Sequence, residues 1–127
     1  MEQLARYAQS LEALLTRDRR YPSQAYGVML AALNDTISRL PQPRHITGPE
    51  LAEGFRRFVK EQFGPMTLTV LKRWNLHTTS DLGAVVFNLI EVGLLSKTPG
   101  DRPEDFEGLY AFEEAFGGPY QYVTPEP

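Results

Sequence analysis

The sequence predicts a mainly α-helical domain, because apolar residues recur at helical spacing along most of the chain. The composition agrees, since 127 residues with 42% hydrophobic and 23% charged side chains are typical of one globular domain. Cysteine is absent, which excludes a disulfide scaffold, a thiol nucleophile and zinc sites built on thiolates. We therefore predict a single helical domain over residues 1–116, followed by a Gly/Pro-rich tail over residues 117–127.

The first two predicted helices lie between residues 2 and 40. The apolar stripe of the first helix, over residues 2–17, consists of Leu4, Ala8, Leu11, Leu14 and Leu15. Pro22 fits the first turn of the second helix, where its missing N–H is not needed. The second helix ends before Pro41 and Pro43, because proline cannot continue a helix. Its stripe consists of Tyr26, Met29, Leu30, Leu33, Ile37 and Leu40.

The clearest helix start in the chain is at Thr47. Thr47 and Glu50 have capping-box spacing, in which the hydroxyl accepts from the third-residue N–H and the carboxylate reaches back. The helix that begins there is predicted to end at Gly64-Pro65. Its buried stripe is expected to contain Leu51, Phe55, Phe58, Val59 and Phe63.

Residues 66–71 alternate apolar and polar side chains, which is a strand pattern, but they also fit a short helix that extends to Trp74. We favour the helix, because Asn75 followed by Leu76 has the pattern of a left-handed C-cap with its apolar follower. Thr78 with Asp81 then predicts the start of a helix to about residue 92, and Gly93 repeats the C-cap pattern. The stripe of this helix consists of Leu82, Val85, Val86, Leu89 and Ile90.

The C-terminal part predicts a small β-hairpin near residues 94–112, because Pro99 followed by Gly100 suits a type II turn. Residues 106–112 fit either a returning strand or a helix that reaches Phe116. In the tail, Tyr120 and Tyr122 fit either a docking segment or packing on the protein's own surface. The predicted helices over 48–63, 65–74 and 79–92, followed by a hairpin, have the order of a winged helix-turn-helix.

Four motifs within residues 21–116 resemble those of a known family. They are Arg44-His45-Ile46-Thr47-Gly48-x-Glu50-Leu51, Phe63-Gly64-Pro65-Met66, Val86-Phe87-Asn88-Leu89 and Asp105-Phe106. Together they resemble a small bacterial family of unknown function, named only after a locus tag and found in planctomycetes and verrucomicrobia. The chain departs from it at Trp74-Asn75, where the family has Trp-Gly, and at Tyr110-Ala111-Phe112, where it has Tyr-Asp-Phe. The resemblance implies a bacterial domain and brings no activity with it.

Residues able to perform catalysis or hold a metal are few. Phosphate loops, nucleophile elbows, His-Glu-x-x-His helices and EF-hand loops are absent from the sequence. His45 could ligate a metal with Glu50, but its place before a helix start favours hydrogen bonds that fix the helix entry. His77 is expected to be exposed. The carboxylate pairs at 104–105 and 113–114 point in different directions and predict a solvated acidic face. We therefore expect no catalytic residue, no metal and no cofactor.

Charge is distributed unevenly along the chain. Residues 1–73 hold eleven basic and seven acidic side chains, whereas residues 74–127 hold two basic and nine acidic ones. This asymmetry suits docking to a second copy or to a charged partner, unless the acids simply crowd the C-terminal half. The predicted helix over 79–92 carries two acids and no base, so DNA phosphates would repel it. The predicted interaction surface is a set of basic residues, Arg56, Arg57, Lys60, Lys72 and Arg73.

These observations favour a non-enzymatic protein-interaction module that binds another protein. The alternative is a nucleic-acid-associated accessory protein of winged-helix type, in which the five basic residues form a patch that binds the nucleic acid. These residues also fit a third interpretation, in which they are ordinary solvated charges with no partner. No apolar run approaches the roughly 20 residues that span a bilayer, and the start lacks a signal-peptide pattern. We therefore expect a cytoplasmic protein that does not bind membranes.

Overall fold

The computed structural model describes residues 2–117, with side-chain environments from residue 6 onward. Helices dominate this part of the chain and strands are absent from it, which confirms the mainly α-helical prediction. The five α-helices are α1 (Glu2–Arg17), α2 (Ser23–Ser38), α3 (Gly48–Phe63), α4 (Thr67–Arg73) and α5 (Thr79–Glu91). None of these helices within residues 2–117 is long and apolar enough to cross a membrane.

The predicted capping box at Thr47 is present, and the predicted helix start at Thr78 is a capping box as well. At the start of α3, the Glu50 amide donates to the Thr47 hydroxyl at 3.2 Å and the Thr47 amide donates to the Glu50 carboxylate at 2.8 Å. At the start of α5, the Asp81 amide donates to the Thr78 hydroxyl at 3.4 Å and the Thr78 amide donates to Asp81 at 3.2 Å. Each box satisfies backbone N–H groups that have no partner inside the helix.

The predicted helix ends are also confirmed. Asn75 has a φ of 65°, and the Leu76 amide donates to the Leu71 carbonyl at 2.9 Å, which closes α4 with a left-handed cap. Gly93 has a φ of 82° and ends α5 in the same way. The helical interpretation of residues 66–71 is therefore right and the strand interpretation is wrong. Pro22 lies one residue earlier than predicted, at the N-cap of α2.

Replacing Thr47 with alanine is expected to lower the free energy of unfolding by about 1 kcal/mol, because the Glu50 amide loses its acceptor. Urea denaturation of the wild type and the variant measures this. Thr69→Ala is the matched control, since Thr69 is exposed within α4 and alanine is a better helix former. Equal stability of Thr47→Ala and the wild type would show that the capping box contributes nothing.

Helix α2 packs most closely on α3 through small residues. The most buried side of α2 carries Ala25, Met29, Ala32 and Thr36, each less than a tenth exposed. On α3, Gly54 faces Thr36 so closely that a Cβ at Gly54 would lie 3.0 Å from the Thr36 Cβ. Leu33 and Ile37 of the predicted α2 stripe are only half-buried, whereas Tyr26 and Met29 of the same stripe are fully buried.

Helix α5 is the central element. It packs against α2, α3 and the 3₁₀ turn Pro103–Phe106. Of its 13 residues only Ser80 and Glu91 are exposed. A helix enclosed in this way cannot enter a DNA groove, which adds a steric reason to the electrostatic one.

The predicted hairpin is wrong, because residues 94–112 contain no strand. The turn at 98–101 is present, with the Asp101 amide donating to the Thr98 carbonyl at 3.0 Å, but Gly100 lacks the positive φ of a type II turn. A 3₁₀ turn follows, and Phe106 at its end is buried. Without paired strands there is no wing, so the winged-helix interpretation is not supported.

Residues 106–112 adopt neither structure left open by the sequence. Gly108 has a φ of 64°, which turns the backbone between Phe106 and Phe112, and both phenylalanines are buried. A π-helical turn, Glu113–Gly117, then buries Phe116. The alternating aromatic residues therefore do not share one face of a strand. Instead, Phe106, Phe112 and Phe116 are each buried separately in the core. Tyr120 and Tyr122 lie outside the described residues.

Candidate functional site

A pocket of about 160 Å³ lies between α2, the start of α3, the end of α5 and residues 95–106. Its walls are mainly apolar and include Leu33, Ile37, Ile46, Val86, Ile90 and Leu95. All three isoleucines of the sequence line it. The polar groups around the pocket come from the start of α3 and from residues 96–105, so the pocket combines an apolar interior with a charged mouth.

Phe106 forms part of the pocket wall because two glycines leave room for its ring. A Cβ added at Gly83 on α5 would lie 2.9 Å from the Phe106 Cβ, and one at Gly48 on α3 would lie 3.0 Å from the Phe106 Cε1. Carbon atoms do not pack at such short distances, so a side chain at Gly48 or Gly83 would displace the ring. Phe106 is only 2% exposed, so it fixes the spacing between α3 and α5.

His45 binds the segment that covers the pocket. Its Nε2 lies 2.8 Å from an Asp101 carboxylate oxygen, and the same oxygen accepts a hydrogen bond from the Thr98 amide at 2.9 Å. Partial burial alone would raise the pKa of Asp101, but the Thr98 amide and the His45 charge outweigh it and hold that pKa below its usual value. His45 thus fixes the entry to α3 by hydrogen bonding, as predicted.

Glu50 accepts hydrogen bonds from Arg44 and from the Thr47 amide. Both terminal nitrogens of Arg44 donate to it, at 3.1 and 2.9 Å. The hydrogen bond from Arg44, with that from the Thr47 amide, lowers the pKa of Glu50 to about 2. Glu50 and His45 do not meet a third ligand, since residues 2–117 contain no group of three or more His, Asp and Glu side chains arranged to hold a metal.

Replacing His45 with alanine is expected to lower the free energy of unfolding by about 0.5–1 kcal/mol, because a hydrogen bond between partly exposed side chains contributes little more. The metal content of the purified protein should not change. Denaturation and elemental analysis measure the two quantities, with His77→Ala as the control, because His77 is exposed and its ring bonds only to Asn75 within the described residues. Stoichiometric metal that is lost only in His45→Ala would contradict the structural role.

The segment beside the pocket carries an excess of acids. Residues 101–107 contain four acidic residues, Asp101, Glu104, Asp105 and Glu107, and one basic residue, Arg102. Asp105 accepts a hydrogen bond from the Arg102 amide at 3.1 Å, which caps the 3₁₀ turn. The guanidinium of Arg102 makes no ion pair within residues 2–117. Asp101, Arg102 and Asp105 line the pocket, whereas Glu104 and Glu107 do not, so the excess of acids lies in the segment beside the pocket.

A polar network that the sequence did not reveal joins the α1–α2 connection to α5. The Tyr21 hydroxyl donates to Asp81 at 2.6 Å, and the Asn88 side-chain amide donates to Asp18 at 2.8 Å and to the Tyr26 hydroxyl at 3.1 Å. Burial, together with the hydrogen bond to Asp81, raises the pKa of Tyr21. Because these groups bind one another, the network stabilises the fold. Nothing in the sequence except an asparagine beside an apolar stripe indicates it.

The five basic residues of the predicted interaction surface are not equally available. Arg56 forms an ion pair with Glu53, and Arg57 lies 3.9 Å from Asp35. The other three make no ion pair within the described residues, and these are Lys60, Lys72 and Arg73. The first three of the five lie on α3, and Lys72 and Arg73 lie in the last turn of α4. The cations left for a partner are therefore mainly those of α4.

Three of the four motifs given above contribute residues to the pocket lining, among them His45, Val86 and Phe106. No family model, curated protein or solved structure matches this chain significantly, so the resemblance to the bacterial family stays a prediction.

Proposed function

We propose that this chain is a non-enzymatic protein-interaction module whose pocket receives one apolar side chain of a partner protein. The volume of the pocket carries the proposal. At about 160 Å³ it is smaller than the roughly 300–1,000 Å³ of usual small-molecule sites. A cavity of about 150 Å³ holds a benzene-sized group, so the pocket matches a single leucine, methionine or phenylalanine side chain.

The chemistry of the walls supports binding. Burying one such side chain stabilises a complex by about 1.5–3 kcal/mol, which is typical of an anchor residue at an interface. A serine or threonine nucleophile needs its hydroxyl within hydrogen-bond reach of a base. Within the described residues the histidine rings bond to Asp101 and Asn75, and neither bonds to such a hydroxyl. This arrangement favours a binding site over a catalytic one.

The experiment compares two tryptophan variants as baits for capture from a native lysate. Ser96 lines the pocket and is exposed, so Ser96→Trp should fill the pocket without disturbing the core. Ser80→Trp is the matched control, since Ser80 is exposed on α5 and does not line the pocket. We expect mass spectrometry to identify a protein that the wild type and Ser80→Trp retain and that Ser96→Trp loses.

Methyl NMR then tests where the captured protein binds. Because all three isoleucines line the pocket, isoleucine-selective labelling gives three signals that report on it alone. Titration with the captured protein should shift these signals in the wild type and not in Ser96→Trp. Retention of the protein by Ser96→Trp, or recovery of a small metabolite in place of a protein, would refute the proposed function.

The alternative, nucleic-acid binding through the basic patch, rests on its five residues, three of which make no ion pair within residues 2–117. It predicts weak affinity that falls steeply with salt and disappears when Arg57 and Lys72 are changed to glutamate. Fluorescence titration with duplex DNA and with RNA at moderate salt measures it, with circular dichroism to confirm folding. Tight, sequence-selective binding that survives these changes would show that the basic patch is not the binding surface.

A further inference from the structure

We propose that the side chain received by the pocket is Met66 of a second copy of this chain. This inference rests on the proposed function and names its partner. The two surfaces share no residue, because Met66 lies between α3 and α4 and does not line the pocket. Each copy would therefore offer one protruding side chain and one pocket.

Met66 is the most exposed large apolar side chain among the described residues. It is 56% exposed, whereas Leu109, the other exposed large apolar residue, is 36% exposed. Met66, Thr69 and Arg73 follow one another at spacings of three and four residues, which places them on one side of the α4 region, and all three are exposed. This side of the α4 region therefore exposes Met66 to solvent, with the cation of Arg73 one helical turn beyond Thr69.

The size of Met66 suits the pocket. Methionine is unbranched and flexible, so it fills irregular apolar spaces that a branched side chain would not fit. The volume of about 160 Å³ accommodates its thioether without rearrangement of the walls. Since the walls are mainly aliphatic, the contact removes apolar surface from water on both copies.

Charge complementarity is what selects a second copy over other partners. Arg73 is exposed on the same side as Met66 and makes no ion pair within residues 2–117. Residues 101–107, which carry four acids and one base, lie beside the pocket and contribute Asp101 and Asp105 to its lining. Docking of Met66 thus brings Arg73 of one copy towards the acidic segment of the next, and opposite potentials favour this orientation.

The acidic pair Glu113 and Glu114 does not weaken this match. The turn Glu113–Gly117 packs against α4, and Gly117 approaches Leu68. Leu68 is two residues from Met66 and so lies on the opposite side of the helix. Arg73, seven residues from Met66, lies on the Met66 side and so away from these acids, whereas Lys72 is four residues after Leu68 and shares its side.

A contact between two different surfaces does not close on itself. A second copy that inserts Met66 still has a free pocket, and the first copy still has a free Met66. The wild type should consequently form species larger than a dimer as its concentration rises. High salt should weaken the association, because it screens the charged residues around the contact.

Sedimentation equilibrium with paired variants tests the proposal. Met66→Ser removes the inserted side chain and Ser96→Trp fills the pocket, so each variant alone should be monomeric. An equimolar mixture should form dimers and nothing larger, since it offers one intact pocket and one intact Met66 per pair. We expect each change to raise the dissociation constant at least about tenfold. The controls Leu109→Ser and Ser80→Trp should associate like the wild type.

Methyl NMR locates the contact in the same samples. Methionine-selective labelling resolves Met66, and isoleucine-selective labelling resolves the pocket. Dilution of the wild type should move both sets of signals together. Arg73→Glu should weaken association, and mixing it with a Glu104→Lys chain should restore it, because the charges are then exchanged across the contact.

Three outcomes would overturn the proposal. They are a wild type that stays monomeric up to millimolar concentration, self-association that survives Met66→Ser, and self-association that survives Ser96→Trp. If the wild type is monomeric while Ser96→Trp still loses a captured protein, the proposed function stands and only the partner is wrong. If Ser96→Trp changes neither capture nor self-association, the pocket is not a docking site and both proposals fail.

Discussion

Phe106→Ala is expected to lower the free energy of unfolding by about 3–5 kcal/mol. Phe106 is 2% exposed and lies against the backbone of α3 at Gly48 and of α5 at Gly83. Loss of the ring leaves a cavity that the two helices cannot close, because the glycines have no side chains to fill it. Urea denaturation followed by circular dichroism measures the change.

Leu109→Ala is the control for this variant, since Leu109 is three residues further along the chain and 36% exposed. Its effect should stay within about 0.5 kcal/mol, as for surface substitutions generally. Phe106→Leu should lie between the wild type and Phe106→Ala, because it keeps part of the buried volume. A loss below about 1 kcal/mol for Phe106→Ala would mean that the Pro103–Phe106 turn does not hold α3 and α5 together.

Gly54→Ala is expected to lower the free energy of unfolding by about 3 kcal/mol, at the upper end of the usual cost of overpacking. The added methyl group would overlap the Thr36 hydroxyl and lie 3.0 Å from both the Cβ and the Cγ2 of Thr36. Thr36 cannot turn away freely, since its hydroxyl donates to the Ala32 carbonyl at 2.7 Å within the buried interface. Helices α2 and α3 must therefore separate.

Gly27→Ala makes the same chemical change but is expected to raise the free energy of unfolding. No atom lies within 4 Å of a Cβ built at Gly27, so alanine there should stabilise α2 by roughly 0.5–1 kcal/mol. Adding Thr36→Ala to Gly54→Ala should recover part of the loss, and a double-mutant cycle measures this coupling. Additive effects would show that the two residues do not compete for space.

Local structure was predictable because its causes are local. The capping boxes at Thr47 and Thr78 and the left-handed caps at Asn75 and Gly93 each depend on residues within a few positions of one another. Each was visible in the sequence and each is present in the structure. The helical assignment of residues 67–73 followed from such a cap.

The packing of the C-terminal part was not predictable, because its causes lie far away along the chain. Pro99-Gly100 and the alternating aromatic residues favoured a hairpin by local rules. The conformation is instead determined by room for Phe106 beside Gly48 and Gly83, which no spacing rule connects to it. Long-range contacts override local propensity in this way when they bury a large aromatic side chain.

The candidate site was likewise predictable where its causes are local and not where they are distant in the chain. Ile37 and Ile90 were placed on apolar stripes from the sequence, and His45 was expected to act at the entry to α3. Its partner Asp101, however, is 56 residues away. The basic residues were identified, but the neutralising contact of Arg57 with Asp35 depends on how α2 packs on α3. The pocket exists only because residues 95–106 pass over these helices.

The network around Asn88 has a consequence for synthesis on the ribosome. Tyr21 is bound by Asp81, 60 residues later, and Asp18 is bound by Asn88, 70 residues later. The contacts of Asp18 and Tyr21 with α5 therefore cannot form until α5 has left the exit tunnel. Until then α2 and α3 lack the helix that packs on both of them, and that part of their apolar surface is open to chaperones. The nascent chain completes its core only when the last aromatic residues, after position 105, have been added.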